Sequence, residues 1–219
     1  MDKYDYLVIG SGPSGQRAAI QAAKLGKSVV IVERFTAIGG ACLHAGTIPS
    51  KTLREAVLYL SGFRQRGFYG RSYRVKQRIT AEDLTQRLDI TIRHEIEILQ
   101  HKFYRNHVNT LGGRARFVEP HVIEVTDHEG SIERVEADHV LIASGAAPAH
   151  PPGIEFDGVK VVDSDQVLNI TELPRSLVVV GAGVIGVEYA SIFSALVASI
   201  FALANTWTRS IWVMPENRK

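Results

Sequence analysis

The order of apolar and polar residues predicts an α/β protein that begins with a strand. Residues 4–9 form an apolar run typical of a buried strand, and residues 13–25 follow with helical spacing and small alanines on one face. Gly26 comes directly after that helix, where a left-handed C-terminal cap favours glycine. The β-branched run at 28–33 predicts a second strand. Strand, turn, helix and strand together form a predicted βαβ unit.

The middle of the chain predicts a long helix followed by short strands. The helix begins at Thr80, and its apolar residues recur at spacings of three and four, which indicates a packing face: Leu84, Leu88, Ile92, Ile96, Leu99 and Phe103. Short β-rich runs separated by turn residues come next, at 114–117, 122–125, 132–135 and 140–143. We interpret these runs as a small antiparallel sheet inserted into the α/β domain.

Composition and charge narrow the class of protein. With 219 residues, 45% apolar and 22% charged, the chain is typical of an ordinary globular protein. Its net charge of +2 gives no overall field that attracts nucleic acid or an anionic membrane surface, so neither partner is expected. The first residues show no signal-peptide pattern, which favours a cytoplasmic location. Cations crowd residues 64–78, and we interpret that segment as a solvated loop.

Two further classes are excluded by single features of the chain. Cys42 is the only cysteine, so an intrachain disulfide and a cysteine-cage metal site are both excluded, and no metal is expected. The longest weakly polar stretch, 189–205, is shorter than the ~20 apolar residues that a membrane span needs. The sequence therefore predicts neither a metalloprotein nor a membrane protein.

The turn between the first strand and the first helix has the pattern G-x-G-x-x-G, through Gly10, Gly12 and Gly15. In this pattern the first glycine allows a tight turn, the second lets the backbone approach a pyrophosphate, and the third packs helix against strand. The helix N-terminus attracts the phosphate charge. Glu33 lies 18 residues past Gly15, at the end of the second strand, where a carboxylate can accept hydrogen bonds from ribose hydroxyls. The combination predicts a dinucleotide site, with a merely structural turn as the alternative.

The same pattern returns through Gly181, Gly183 and Gly186, directly after the apolar run 177–180. Two such turns imply two dinucleotides. A hydride carrier beside a second redox cofactor is the economical explanation, with flavin plus nicotinamide as the leading pair.

The second copy does not finish like the first. The positions that correspond to the cap glycine and the ribose carboxylate hold Val197 and Ala204. We therefore expect a truncated or frame-altered tail after about residue 193. We also expect such a tail to leave part of the long helix's apolar face uncovered.

Residues 39–51 resemble the redox loop of the two-dinucleotide flavoprotein disulfide reductases. Those enzymes carry Cys-x4-Cys in this loop, whereas this sequence has Cys42 and then Thr47, which excludes a disulfide relay. The variant G-G-x-C-x3-G-T-I-P-S-K is similar to the soluble, flavin-dependent (Si-specific) pyridine nucleotide transhydrogenases of the pyridine nucleotide-disulfide oxidoreductase family. The resemblance covers residues 4 to about 193.

The resemblance implies FAD and NAD(P) as cofactors, and hydride transfer from NADPH through FAD to NAD+. It implies an FAD-binding domain over 1–150 with an insertion at 64–139, and an incomplete NAD(P)-binding domain over 151–219 with an anomalous tail. The family forms homo-oligomers, and we expect this sequence to lack the dimerisation domain. We therefore expect an impaired or inactive fragment. The alternatives are an NAD(P)H-dependent flavin reductase with another acceptor, or a non-catalytic nucleotide-binding remnant.

Site residues also follow from the resemblance. Lys51 and Glu188 are implied as catalytic residues that form a buried charge pair near the reactive flavin edge. Cofactor contacts are implied for Gly10, Gly12, Ser14, Gly15, Glu33, Arg34, Gly39, Gly40, Ala41, Cys42, Thr47, Lys51, Ala115, Ser144, Gly145, Gly181, Gly183, Gly186 and Glu188. Cys42 is interpreted either as a charge-transfer or sensor thiol or as a small buried residue. His44 is expected to make a structural hydrogen bond, because hydride transfer demands no general base.

Overall fold

The structure, a computed structural model, describes residues 1–196, 199–203 and 213–215. Its strands are β1 (Asp2–Ile9), β2 (Val29–Glu33), β3 (Val108–Gly112), β4 (Arg114–Glu119), β5 (Val122–Thr126), β6 (Ile132–Ile142), β7 (Ser176–Val180), β8 (Ser199–Leu203) and β9 (Val213–Pro215). Its α-helices are α1 (Pro13–Lys24), α2 (Gly40–His44), α3 (Thr47–Leu60), α4 (Arg66–Tyr69), α5 (Ala81–Arg105) and α6 (Val184–Ser194). Short 3-10 helices cover Phe63–Gln65 and Gln166–Asn169. The interpretation of residues 64–78 as a loop is therefore wrong in part, because residues 64–69 are helical and only residues 70–78 contain neither helix nor strand. The predicted mixed α/β architecture is confirmed.

The chain packs as two compact units, each made of two segments. The first unit combines Met1–His44 with Ile92–Ala146, and the second combines Ala45–Thr91 with Ala147–Lys219. Helix α5 contributes its N-terminal half to the second unit and its C-terminal half to the first. These units are defined by packing alone, so they do not test which ranges bind which cofactor. The FAD-binding domain over 1–150 and the NAD(P)-binding domain over 151–219 therefore stay predictions.

The first unit contains a six-stranded sheet in the order β3-β2-β1-β6-β5-β4. Strand β1 is parallel to β2 and β6, and β2 is parallel to β3, whereas β5 is antiparallel to both of its neighbours, β4 and β6. The predicted antiparallel strands are confirmed, but they do not form a sheet of their own, because they continue the parallel sheet. The runs at 132–135 and 140–143 form one strand, β6, whose N-terminal part pairs with β5 while most of its length pairs with β1. A single long strand thus joins the antiparallel strands to the parallel sheet.

Alternating side chains of β1 and β2 build a core on each face of this sheet. Leu7, Val30 and Val32 pack on one face with Ile123 and Val125 of β5. The other face packs against α1 and the C-terminal half of α5, through Val8, Ile31, Ala19, Leu99 and Phe103. All five residues of β2 are buried, which explains its continuous β-branched sequence.

The second unit repeats the strand, helix, strand order: β7 leads into α6, and β8 returns parallel to β7. Strand β9 pairs antiparallel with β7 on its other side. The core combines residues of α3, α5, β7 and α6, among them Leu53, Leu84, Leu177 and Phe193. The expected loss of the turn glycine at Val197 and of the ribose acid at Ala204 lies outside the described residues.

Helix α5 uses its apolar stripe in both units. Leu84 and Leu88 are buried in the core of the second unit, and Leu99 and Phe103 are buried in the first. The predicted packing face is confirmed, and the expectation that these residues would lie uncovered is wrong, because each half of the helix has its own buried cluster. No helix among the described residues combines the length and apolar character needed to cross a bilayer.

Candidate functional site

The first glycine turn joins β1 to α1, and two of its glycines are required by the backbone. Gly10 has φ +106, and a Cβ there would lie 2.3 Å from the carbonyl oxygen of Ala143. A Cβ at Gly15 would lie 2.0 Å from the carbonyl oxygen of Gly10. Any side chain at either position would therefore force the turn away from β6 or from α1.

Gly12 differs from its two neighbours, because the protein's own packing does not require a glycine there. It caps α1 with ordinary dihedrals, φ −65 and ψ 176. Among the described residues, no heavy atom lies within 4 Å of the position that its Cβ would occupy. The first turn of α1 contains no acidic residue, and Gly12 provides no side-chain cap. The Cβ side of Gly12 therefore faces open space beside the start of α1, where the first amides of a helix have no intrahelical acceptor and can bind a phosphate.

Glu33 lies at the C-terminal end of β2 and is almost fully buried, with 6% of its surface exposed. Its Oε2 accepts hydrogen bonds from the Ser11 hydroxyl at 2.5 Å and the Ser11 amide at 2.9 Å, and its Oε1 accepts from the Phe35 amide at 3.1 Å. Burial raises the pKa of Glu33, but these hydrogen bonds prevail and hold the pKa below its ordinary value. Glu33 is therefore a carboxylate, and Oε1 keeps capacity to accept a further hydrogen bond.

The loop after β2 lies directly against the glycine turn. The Gly39 amide donates to the Ser11 hydroxyl oxygen at 2.8 Å. Gly40 has φ +64, and a Cβ there would lie 2.7 Å from the Cα of Gly12. Within α2, Ala41 is exposed and Cys42 is half-buried. His44 Nε2 donates to the carbonyl oxygen of Ile38 at 2.9 Å, so the predicted structural hydrogen bond of His44 is confirmed.

The end of β6 also lies against the first glycine turn. The Ala143 amide donates to the Ile9 carbonyl oxygen at 2.8 Å, which holds this segment beside β1. The Cα of Ser144 lies 3.5 Å from the Cβ position of Gly10, and Gly145 follows with φ +74. The structure therefore brings Ser144 and Gly145 to the predicted phosphate turn.

Three predicted contact residues lie further out in the first unit. Ser14 is exposed in the first turn of α1. The Arg34 guanidinium lies 4.6 Å from the centre of the Phe35 ring, next to Glu33. Ala115 lies on β4, two residues after Gly113, whose amide donates to the Glu33 carbonyl oxygen at 2.8 Å. Cofactor contact at each of these positions stays a prediction.

Sequence reasoning missed Ser11 and Gln16, which hold the site together. Ser11 is fully buried and links Glu33 to the loop at Gly39. Gln16 Nε2 donates to the Ser11 carbonyl oxygen at 2.8 Å. One signal was present: a serine between the two glycines of a tight turn has little room for solvent, so its hydroxyl needs a protein partner.

The remaining predicted site residues belong to the second unit: Thr47, Lys51, Gly181, Gly183, Gly186 and Glu188. Thr47 is exposed at the first residue of α3. Lys51 Nζ forms an ion pair with Glu188 Oε1, and Ser50 Oγ lies 3.5 Å from the same oxygen. The predicted approach of Lys51 to Glu188 is confirmed. The expectation of a buried pair is wrong, because the Lys51 side chain is 56% exposed and the Glu188 side chain 19%.

The second glycine turn reproduces the backbone of the first. Gly181 is buried with φ +121, as Gly10 has φ +106. Gly183 caps α6 with φ −71 and ψ 171, and among the described residues no heavy atom lies within 4 Å of its Cβ position. Gly186 is buried on the packing side of α6. The middle glycine is again the one that faces open space.

A parallel sheet with this turn and a buried carboxylate at the end of the next strand defines a Rossmann-like nucleotide-binding protein. The family model described as pyridine nucleotide-disulphide oxidoreductase matches residues 4–207. The chain therefore belongs to the pyridine nucleotide-disulphide oxidoreductase family, and the predicted family resemblance is confirmed.

Individual relatives agree with this assignment. The chain is 55% identical over 197 residues to a soluble pyridine nucleotide transhydrogenase of Mycobacterium bovis (strain BCG / Pasteur 1173P2), a match covering 90% of this chain and 42% of the relative. It is 39% identical over 193 residues to the soluble pyridine nucleotide transhydrogenase of Colwellia psychrerythraea, covering 88% of this chain and 41% of the relative. The chain thus spans about two fifths of the length of these curated relatives.

A solved structure shows the same fold. It is the Cu(II) complex of an HOCl-induced flavoprotein disulfide reductase from Escherichia coli, with a TM-score of 0.77 and 27% sequence identity. The match covers 93% of this chain and 43% of that protein. The fold of the described residues is therefore that of the corresponding part of a flavoprotein disulfide reductase.

Proposed function

We propose that this chain binds FAD at the first glycine turn and belongs to an enzyme that transfers hydride from NADPH to NAD+. The open space at Gly12 is the observation that carries the proposal, because the protein leaves the Cβ position of this cap residue free and gives α1 no side-chain cap, where a pyrophosphate would lie. Gly10 and Gly15 shape the turn, and the α1 amides hold the phosphates. The ionised Glu33 accepts hydrogen bonds from the adenosine ribose through Oε1.

The residues present fit a hydride carrier better than a disulfide relay. Bound FAD supplies a centre that accepts a hydride from one nicotinamide and returns it to another. The overall exchange, NADPH plus NAD+ giving NADP+ plus NADH, moves one hydride and no net proton. Cys42 has no second thiol in the chain, and Thr47 stands in the position of a relay partner. The chain's task is therefore to hold and align the two ring systems.

We infer that the second glycine turn receives the pyridine nucleotide. It repeats the first turn in its dihedrals and in the open space at its middle glycine, Gly183. The Lys51 and Glu188 pair joins α3 to α6 beside the start of that helix. We propose that this pair lies at the reactive edge of the flavin, where Lys51 supplies positive charge and Glu188 holds its ammonium group in place.

Replacing Gly12 by alanine tests the FAD site. Gly12→Ala adds a methyl group where the protein has space and the backbone needs no glycine, so the fold should persist while pyrophosphate approach is blocked. Gly67→Ala is the matched control, because Gly67 also has free space around its Cβ position and no positive φ, but lies in α4. We expect FAD affinity, followed through the flavin band at roughly 450 nm and by calorimetry, to fall about tenfold or more for Gly12→Ala alone.

FAD affinity, together with reduction of the bound flavin by NADPH and its reoxidation by an added acceptor, distinguishes the proposal from its alternatives. Equal FAD affinity in Gly12→Ala and the wild type, with both folded, would contradict the flavin site. Flavin reduction by NADPH followed by transfer to a quinone but not to an NAD+ analogue would favour a flavin reductase with another acceptor. FAD binding without reduction would favour a nucleotide-binding remnant.

A further inference from the structure

The second unit contains a cavity of about 310 Å³ that is separate from its glycine turn. Its walls come from the C-terminal half of α3, the 3-10 helix at Phe63–Gln65 and the N-terminal half of α5. The lining residues are Glu55, Leu58, Tyr59, Arg64, Gln65 and Arg87. A cavity of this size lies at the lower end of the range for small-molecule sites, so it suits a ligand smaller than a dinucleotide.

Two arginines on different walls give the cavity its charge. Arg64 Nη2 pairs with Glu55 Oε1 at 2.9 Å, but both side chains are about half exposed or more, and such pairs exchange partners readily. Within the described residues, the Arg87 guanidinium has neither a hydrogen bond nor an ion pair. An anion in the cavity therefore finds one unpaired guanidinium and one that is weakly held.

The remaining walls suit an organic body rather than a bare ion. The Tyr59 ring is 61% exposed, and Leu58 adds an apolar surface beside it. Gln65 also lines the cavity, and a side-chain amide can both donate to and accept from a ligand hydroxyl.

The segment that joins α3 to α5 is strongly basic, although its Lys76 pairs with Asp83 of α5. No acidic residue occurs between Glu55 and Glu82, whereas the segment between them carries Arg64, Arg66, Arg71, Arg74, Lys76 and Arg78. Like charges concentrated beside a cleft raise the local concentration of anions.

We propose that this cavity binds a small organic phosphate, an activity distinct from the dinucleotide sites. A phosphate monoester has three acceptor oxygens and up to two negative charges, so it matches two guanidiniums in charge, whereas a carboxylate carries a single charge. The organic part of the ligand would lie against Tyr59 and Leu58, with a hydroxyl group donating to Gln65. The Glu55 carboxylate repels an anion, so the phosphate must replace Glu55 as the ion-pair partner of Arg64.

Calorimetric titration of the full 219-residue chain tests the proposal. Phenyl phosphate and glycerol 3-phosphate serve as probes, and excess FAD and NADP+ keep the glycine turns filled. We expect Arg87→Gln to weaken binding of both probes about tenfold or more, because it removes a charge-assisted contact. We expect Glu55→Gln to tighten binding, because it removes the competing carboxylate. Arg71→Gln is the control for general positive charge and should change affinity less than about twofold.

Three results would overturn the proposal. Absence of binding to the wild type up to about 10 mM probe would show that the cavity holds no such ligand. Equal weakening by Arg87→Gln and Arg71→Gln would assign binding to the diffuse basic field. Unchanged affinity in both Arg87→Gln and Glu55→Gln would place the probe elsewhere.

Discussion

Ser11 donates two hydrogen bonds to a single carboxylate oxygen of Glu33, from its hydroxyl at 2.5 Å and its amide at 2.9 Å. The same hydroxyl accepts the Gly39 amide at 2.8 Å. Ser11 therefore joins the first glycine turn, the proposed ribose carboxylate and the loop at residues 39–44. The positions of all three depend on one buried side chain.

Ser11→Ala should destabilise the protein by about 1–3 kcal/mol, because it leaves the buried Glu33 carboxylate and the Gly39 amide each short of a partner. The free energy of unfolding in urea measures the effect. Ser14→Ala is the control, since Ser14 lies three residues away and is exposed. Equal stability of the two variants would show that the Ser11 hydroxyl is dispensable.

The lowered pKa of Glu33 predicts a loss of stability in acid. A carboxyl group whose folded-state pKa lies below its unfolded value stabilises the fold above the unfolded value, and this stabilisation disappears as pH falls through the folded pKa. Unfolding free energies of the wild type and Glu33→Gln should therefore converge as pH falls from neutrality to below the ordinary Glu range. A constant difference between the two proteins across that pH range would contradict the assignment.

The ion pair between Lys51 and Glu188 should contribute little to stability. Because Lys51 is 56% exposed, a double-mutant cycle with Lys51→Gln and Glu188→Gln should give a coupling of about 0–1 kcal/mol. In the FAD-loaded chain, Lys51→Gln should nevertheless alter the flavin absorption spectrum if the pair lies at the reactive edge. A coupling above about 3 kcal/mol would indicate a buried pair instead.

Tyr189→Phe should leave stability unchanged or increase it. Tyr189 is only 2% exposed, and its hydroxyl has no hydrogen-bond partner among the described residues. Burial, with the charges of Glu188 and Asp165, raises the pKa of this phenol, so the hydroxyl stays neutral. Removing it relieves a desolvation cost of about 1–3 kcal/mol. Thermal unfolding measures the effect, and Tyr59→Phe is the control because Tyr59 is exposed. A marked loss of stability in Tyr189→Phe would mean that the hydroxyl has a partner.

The first βαβ unit and its chemistry could be predicted because their signals are local. Gly10, Gly12, Gly15 and Glu33 lie within 24 residues, and each reflects turn, cap or strand chemistry that short-range sequence expresses. The family resemblance added the approach of Lys51 to Glu188, a contact across 137 residues that no local pattern contains. The apolar stripe of α5 likewise followed from its spacing alone.

Sequence patterns determined the strands and the helix of the first βαβ unit, the long helix α5 and the two glycine turns where a phosphate is expected, but not α2, α4 or β3. The tertiary structure alone decided that β6 is one strand shared by parallel and antiparallel neighbours, that α5 is buried in two clusters, and that Ser11 holds Glu33. It also decided that Lys51 stays exposed and that Arg64 and Arg87 line one cavity. Periodicity reports which face of an element is apolar, whereas strand pairing, burial of charge and cavities depend on which distant segments pack together.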